Sequence, residues 1–460
     1  MAVPACLTWH RARIQGRYRH VLAVTLLAIG ARLPAQIPAS AYYARRVAVL
    51  ERLGKDVMLV PARGSFLYDD EMGYVQAADF QYLTGLAEQV GAVLLLDGSD
   101  KSVTLYVARP SRLISLAIIP QTPSAAAELR MNDVVSIDSL ESQLRRRFAM
   151  APTTARIAGT DARGAVNTPP PMASTGIRWR SWVMTLGATD GTPALPILRG
   201  LREIKSVEEI AILRRVGQQS GAAFLAGLRA LHPGQSQRKA ELAVVNACET
   251  AGARGVSFWP WTMSGPNAQF MGLFSSFQSY EHINRVMQPG EVVRVDVGCQ
   301  SGHYMGDVGR TAPVSGRFTP GQREAWDLFI AGYRAGLPLI RNGAGTKDVY
   351  AAALAEVRSR EPALTTAEGK HAAEILLSAT GTDPWEIHGV GLDDAEGQPD
   401  VLRTGMVVAY ELMFVVDGDG FYLEDMIAVG ANGPDVLTPG LPYTASEIER
   451  AMVARSRATH

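Results

Sequence analysis

Four acids and one histidine in the C-terminal half carry the strongest chemical signal in this sequence. Asp296 stands inside VVRVDVG (292–298), a valine-rich run that ends at glycine and reads as a β-strand. Burying an unpaired carboxylate there costs on the order of several kcal/mol. Asp307 follows in HYMGDVGRTAPV (303–314), after a turn at QSG, so the two segments read as a β-hairpin. Such a hairpin can bring both carboxylates together, where they repel unless a cation lies between them. The alternative is that both acids are exposed on a sheet edge. Glu411 in MVVAYELMFVV and Glu424 in GFYLEDMIAV repeat the pattern of an acid in mid-strand among apolar residues. His388 opens HGVGLDDAEG, where glycines permit close backbone approach. Taken singly, each residue is more often a rim or salt-bridge residue. Together they read as a metal site.

A donor set rich in oxygen, with a single imidazole, suits pairs of Mn, Co, Fe or Zn ions better than structural zinc. Two ions roughly 3.5–4 Å apart can share a hydroxide and clamp an attacked carbonyl. A neighbouring carboxylate can take the proton and pass it to a leaving amine. The chemistry expected is amide hydrolysis.

These residues need a scaffold of alternating strands and helices. Ser206 and Glu209 form a capping box that starts a helix at the head of the C-terminal half. Ile210, Leu213, Phe224, Leu228 and Leu231 supply its apolar face, and Pro233-Gly234 stops the run. From there to about residue 440, short strands alternate with helices. Upstream, residues 40 to about 150 read as a separate α/β unit. VMLVPA and GAVLLLDG are buried-strand runs, and SVTLYVA pairs with the second across the DGSDK turn. The PPP-containing stretch 163–176 and GATDGTPALP (187–196) read as linker.

At 460 residues the chain is long enough for two or three domains. Lysine plus arginine equals aspartate plus glutamate at 45 each, so no basic surplus points to nucleic acid. Residues 1–35 read as an export signal: Arg11, Arg13, Arg17 and Arg19 precede VLAVTLLAIGA, with Ala31 and Ala35 near the expected cut. That apolar run is too short to span a bilayer, and no other is long enough. The expected location is periplasmic or secreted. Cys248 and Cys299 lack CxxC spacing and read as two buried free thiols rather than a disulfide.

The five donors, in the order D…D…H…E…E and inside VVRVDVG, GDVGRT, HGVGLD and EDM, resemble the pita-bread metallopeptidase family, aminopeptidase P and prolidase branch. REIKSVEEIAILRR and SGPNA resemble the start of its catalytic domain; RRVAVLERLG and DFQYLTGL resemble its creatinase-type N-terminal domain. The resemblance implies an α/β two-domain chain: signal peptide 1–35, N-terminal domain and linker 36–195, and pita-bread domain 196–460. It implies Asp296, Asp307, His388, Glu411 and Glu424 as ligands of two divalent ions, manganese favoured over Co, Zn or Fe. Asp307 and Glu424 would bridge the ions, and Glu411 would be the general base. The implied substrate is a peptide with proline second, and the implied assembly a homodimer.

Departures from the family pattern fall around the ligands. Ser279 stands where relatives have histidine, with His282 three residues on; Ala395 replaces a second histidine, Tyr422 an arginine and Leu412 a proline. Ser279, Tyr280 and Tyr422 offer O–H groups that could hold substrate in place of imidazoles. FWPW (258–261) and FMGLFSSF (270–277) could line a pocket or simply pack a core. Two other readings stay open: a relative without catalysis, and a creatinase-like hydrolase of small C–N compounds.

Overall fold

The computed structural model describes residues 36–63, 76–108, 119–159, 179–269, 284–378 and 385–453. The proposed leader, the 163–176 linker, FMGLFSSF, Ser279, Tyr280 and His282 lie outside the described residues.

Six strands form the N-terminal sheet: β1 (Val57–Pro61), β2 (Val93–Asp97), β3 (Ser102–Val107), β4 (Asp133–Ser136), β5 (Thr154–Ile157) and β6 (Asp190–Pro193), in the order β4-β3-β2-β1-β5-β6. The β2–β3 pair is the antiparallel hairpin expected across DGSDK. The segment read as linker at 187–196 instead contains β6, which pairs parallel with β5 through Thr154↔Asp190. Its Gly and Pro content hid a strand that lies at the sheet edge, where proline is tolerated. Helices α1 (Ala39–Leu53), α2 (Ala78–Thr84), α3 (Pro123–Glu128) and α4 (Leu140–Met150) accompany this sheet. Helix α5 (Leu195–Arg202) then leads into the C-terminal half.

Helix α6 (Val207–Arg229) begins at the expected capping box: the Glu209 N–H donates to Ser206 Oγ and the Ser206 N–H to Glu209 Oε2. Leu213, Phe224 and Leu228 are fully buried, and α7 (Gln237–Thr250) packs alongside. Behind them a seven-stranded antiparallel sheet is assembled from β8 (Trp261–Ser264), β9 (Val292–Val297), β12 (Val308–Pro313), β13 (Trp385–Gly389), β14 (Val407–Val416), β15 (Asp419–Val429) and β16 (Pro434–Val436). The path is β13-β14-β15-β12-β9-β8, with β16 on β15. Strands β7 (Gly255–Val256), β10 (Cys299–Ser301) and β11 (Tyr304–Met305) form a small second sheet, so the expected 292–314 hairpin divides between two sheets. The corner is at Gly298, where a Cβ would lie 1.8 Å from the Gly306 carbonyl oxygen; only glycine fits. Helices α8 (Pro320–Gly336), α9 (Thr346–Arg360) and α10 (Ala367–Ser378) pack on one another, and α11 (Ala445–Val453) lies against α6 and α8.

The two halves meet through buried charge. Arg45 of α1 contacts Glu209 at 3.0 Å, and Glu209 also accepts from Tyr304 Oη at 2.7 Å. Arg202 of α5 joins Asp79 (2.9 Å) to Asp393 (2.6 Å) and Glu396 (2.5 Å), while Lys205 reaches Glu396 at 2.8 Å.

The expectation of free thiols is overturned: Cys248 and Cys299 form a disulfide, with Cα atoms 5.4 Å apart. The residues are 51 apart in sequence, on α7 and β10, and only the tertiary packing of helix against sheet brings them together. Closing a loop of that length contributes about 4 kcal/mol by restricting the unfolded chain. Replacing both cysteines by alanine should lower the urea midpoint correspondingly, and dithiothreitol should lower that of the unmutated protein but not of the variant. Equal midpoints would show that the bond contributes nothing.

Candidate metal centre

Strand pairing places the acids in one row. Glu411 of β14 lies directly opposite Glu424 of β15; Glu424 lies opposite Gly309 of β12; Gly309 lies opposite Asp296 of β9. Directly paired residues share a face of the sheet, so these side chains emerge on one side. The row continues to Glu386 of β13 and Trp261 of β8. Asp307 stands immediately before β12, and His388 lies two residues beyond Glu386 on its strand. Period-two alternation thus converts widely separated residues into one cluster.

Ligating atoms of Asp307, His388 and Glu424 all lie within 4.8 Å of one another, and all three residues are buried. His388 Nε2 is 3.4 Å from Glu424 Oε1 and 3.6 Å from Glu411 Oε1. Tyr422 Oη lies 2.7 Å from Glu424 Oε2 and 3.0 Å from Glu411 Oε2. Asp296 Oδ1 is buried without a hydrogen-bond partner, and the buried Glu424 Oε1 faces His388 Nε2. Such atoms are costly unless something positive reaches them. Hard oxygen donors with one imidazole and an orphaned carboxylate oxygen fit divalent cations.

Proton affinities tell the same story. Burial and the charge of Glu424 push Asp296 and Asp307 well above the ordinary carboxylate range. Burial and Glu424 raise Glu411 to about 7. Burial opposes charge on His388, yet the Glu424 hydrogen bond and the Glu411 charge lift it to about 10. Burial also disfavours the Glu424 anion, but the His388 hydrogen bond and charge hold its carboxyl below the usual value. Without cations, these groups cannot all be ionised together.

Behind the row, Asp425 and Arg310 form a fully buried pair at 2.8 and 2.9 Å. Asp425 also accepts from Tyr333, Thr438 and Tyr443. These neighbours of Glu424 and Gly309 fasten β12 to β15 on the opposite face.

The residues set apart by their departures are placed as follows. Tyr422 was expected to offer its hydroxyl to substrate; it is buried and engaged with the two glutamates. Ala395 sits in the loop after His388, its N–H donating to Asp394, and Leu412 is buried in the core. Trp259 is committed to α7, donating to Glu241 and lying under Arg238, whereas Trp261 shares the face of Asp296. Sequence reasoning passed over Arg294, two residues before Asp296 and therefore on its face; that spacing was the available signal.

A sequence model of metallopeptidase family M24 matches residues 211–431, and one of the aminopeptidase P N-terminal domain matches residues 42–155. The chain is 25% identical over 424 residues to the Xaa-Pro aminopeptidase of Escherichia coli, covering 84% of this chain and 90% of that one. It is 23% identical over 409 residues to the Haemophilus influenzae Xaa-Pro aminopeptidase, covering 82% and 88%. The structure of Pseudomonas aeruginosa aminopeptidase PepP superposes with a TM-score of 0.71 at 21% identity, covering 91% of this chain and 98% of that one. E. coli aminopeptidase P with the inhibitor Pro-Leu gives 0.71 at 23% identity, covering 91% and 99%.

Because burial and neighbouring charge raise the proton affinities of metal-free Asp296, Asp307 and Glu411, and lift His388 to about 10, loading must expel protons. Titrating the chelator-stripped protein with Mn²⁺ at pH 7 in buffers of different ionisation enthalpy should reveal net proton release. Affinity should fall as pH drops through about 7, where Glu411 becomes protonated. A buffer-independent heat would contradict this account.

Proposed function

This chain belongs to metallopeptidase family M24, with an aminopeptidase P N-terminal domain ahead of a pita-bread catalytic domain, and on that premise we propose that it is an Xaa-Pro aminopeptidase-type enzyme. Its substrates are peptides with proline second, from which it releases the first residue. The observation that carries this reading is the row Glu411–Glu424–Gly309–Asp296, closed by Asp307 and His388, with an unpartnered carboxylate oxygen on Asp296.

Asp296, Asp307, His388, Glu411 and Glu424 would hold two divalent ions, manganese favoured, which when bound supply Lewis-acid activation of water and of the scissile carbonyl. Glu411 is the general base. Its side chain keeps 24% exposure, against 14% for Asp296 and none for Glu424, so it is the acid most open to an incoming peptide. It accepts the proton of the attacking water and returns it to the leaving proline nitrogen. Tyr422 and His388 hold the carboxylate in place from opposite oxygens, Oε2 and Oε1. Ser279 and Tyr280 are proposed to contact substrate. The readings without catalysis, or with a small C–N substrate, find less support beside a retained set of five donors and relatives named as Xaa-Pro aminopeptidases.

Two features support a periplasmic or secreted location: the leader-like segment 1–35 and the Cys248–Cys299 bond, since structural disulfides persist in oxidising compartments. A homodimer is proposed on the family resemblance.

Purified protein loaded with Mn²⁺ should release the N-terminal residue from X-Pro peptides. Glu411→Gln should reduce kcat by about 10²–10⁴. Demonstrated metal uptake without turnover on a broad peptide panel would remove the proposal.

A further inference from the structure

Arg294 of β9 is 4% exposed and lies on the same face as Asp296. Its guanidinium carbon is 5.0 Å from the centre of the Tyr422 ring, its Nη1 donates to Met413 Sδ at 2.7 Å, and its Nη2 is 4.0 Å from Asp296 Oδ2. Met413 is the cross-strand partner of Tyr422, so the arginine reaches over β12 to cover both. Gly309 lies beneath: a Cβ there would fall 2.1 Å from Tyr422 Cε1, so glycine alone lets the ring lie across β12. The Tyr422 N–H is fixed by Thr311 Oγ1 at 2.8 Å. The phenol is therefore held below, at its backbone and from above, and its hydroxyl ends between Glu411 and Glu424.

We propose that Arg294 and Tyr422 are a positioning pair for the metal centre. The guanidinium on the ring aims the hydroxyl between the two glutamates and at the same time leans on Asp296. Three carboxylates on three strands are thereby held by one cation–ring unit. This inference rests on the dinuclear reading of the site. It concerns the order of the donors, and neither residue needs to touch substrate.

The alternative role for Arg294, simple neutralisation of surplus negative charge, predicts the opposite sign. Removing a cation from beside anionic donors strengthens their Coulomb attraction for a metal. Removing a positioning group weakens binding, because the donors then have to be ordered by the ion itself.

Calorimetric titration of the full chelator-stripped chain with Mn²⁺ alone decides between them. Arg294→Met should weaken the more weakly bound ion by about 10–100-fold, the range seen when partners of metal ligands are lost. Tyr422→Phe should weaken it similarly. The double variant should be no worse than the worse single one, as expected of residues acting as a unit. Arg294→Lys keeps the charge but loses the delocalised guanidinium over the ring, and should also lose affinity. If Arg294→Met does not fold, the lysine variant carries the test. Tighter binding, unchanged binding, or losses that add independently would each overturn the pair. Wild-type protein that takes up no Mn²⁺ overturns the dinuclear reading and the pair together. Wild-type binding matched by the variants overturns the pair alone.

Discussion

Mutual repulsion among buried carboxylates is the constraint around which the C-terminal half is organised. Glu424 has no solvent exposure and faces Glu411 across a strand pair, with Asp296 two strands away beyond Gly309 and Asp307 immediately before β12. Such a row opposes folding unless it is neutralised, because each anion gives up hydration and gains a like-charged neighbour. The sheet tolerates it through what stands behind it. Arg310 and Asp425, both without exposure, clamp β12 to β15 on the far face, and Tyr333, Thr438 and Tyr443 complete the shell of the acid. A balanced ion pair on one face thus holds in register an unbalanced set on the other.

The same logic extends outward. Glu209 caps α6, pairs with Arg45 of the N-terminal domain and accepts from Tyr304, three residues before Asp307. Arg202 ties Asp79 of that domain to Asp393 and Glu396, in the loop that follows His388. Both chains of contact run from the N-terminal domain to segments adjoining the proposed metal-ligand positions. The disulfide makes a third tie, fixing α7 to β10 just beyond the Gly298 corner. Buried pairs of this kind specify geometry more than they add stability. The N-terminal domain therefore belongs to the architecture of the site as well as to that of the fold.

What could be read from sequence follows from range. Asp296, Glu411 and Glu424 stood out because an acid amid alternating valines is locally anomalous, and strand alternation is a local property. The capping box of α6 and the β2–β3 hairpin were legible for the same reason. Asp307 could be placed on a hairpin, but not its division between two sheets, which depends on packing at Gly298 and Gly306. His388 stood out only through its glycines and the family resemblance. The Cys248–Cys299 bond was misread because nothing within 51 residues of chain encodes the meeting of α7 with β10. Strand β6 reads as linker in the sequence because edge strands accept the glycine and proline that otherwise mark loops. Tyr422 was read as a donor to substrate because its partners, on β14 and within β15, are set by cross-strand register.

Glu411 and Glu424 are chemically identical and face one another in a single cross-strand pair, yet their surroundings divide the work between them. Glu424 has no exposure, and the hydrogen bond and charge of His388 hold it in the anionic form despite burial. Glu411 keeps an opening to solvent; burial and the charge of its partner raise its proton affinity to about 7, with His388 opposing. An acid that stays ionised is suited to bind cations permanently. One whose proton affinity lies near neutrality is suited to take and return a proton. Pairs of titratable groups driven apart by their environment identify acid–base roles. Here depth and His388 together make the division: Glu424 lies on the inner strand of the pair, between β14 and β12, and Glu411 on the strand next to the sheet edge at β13. On the proposed function, the position of a strand in the sheet thus decides which carboxylate would anchor the ions and which would exchange the proton.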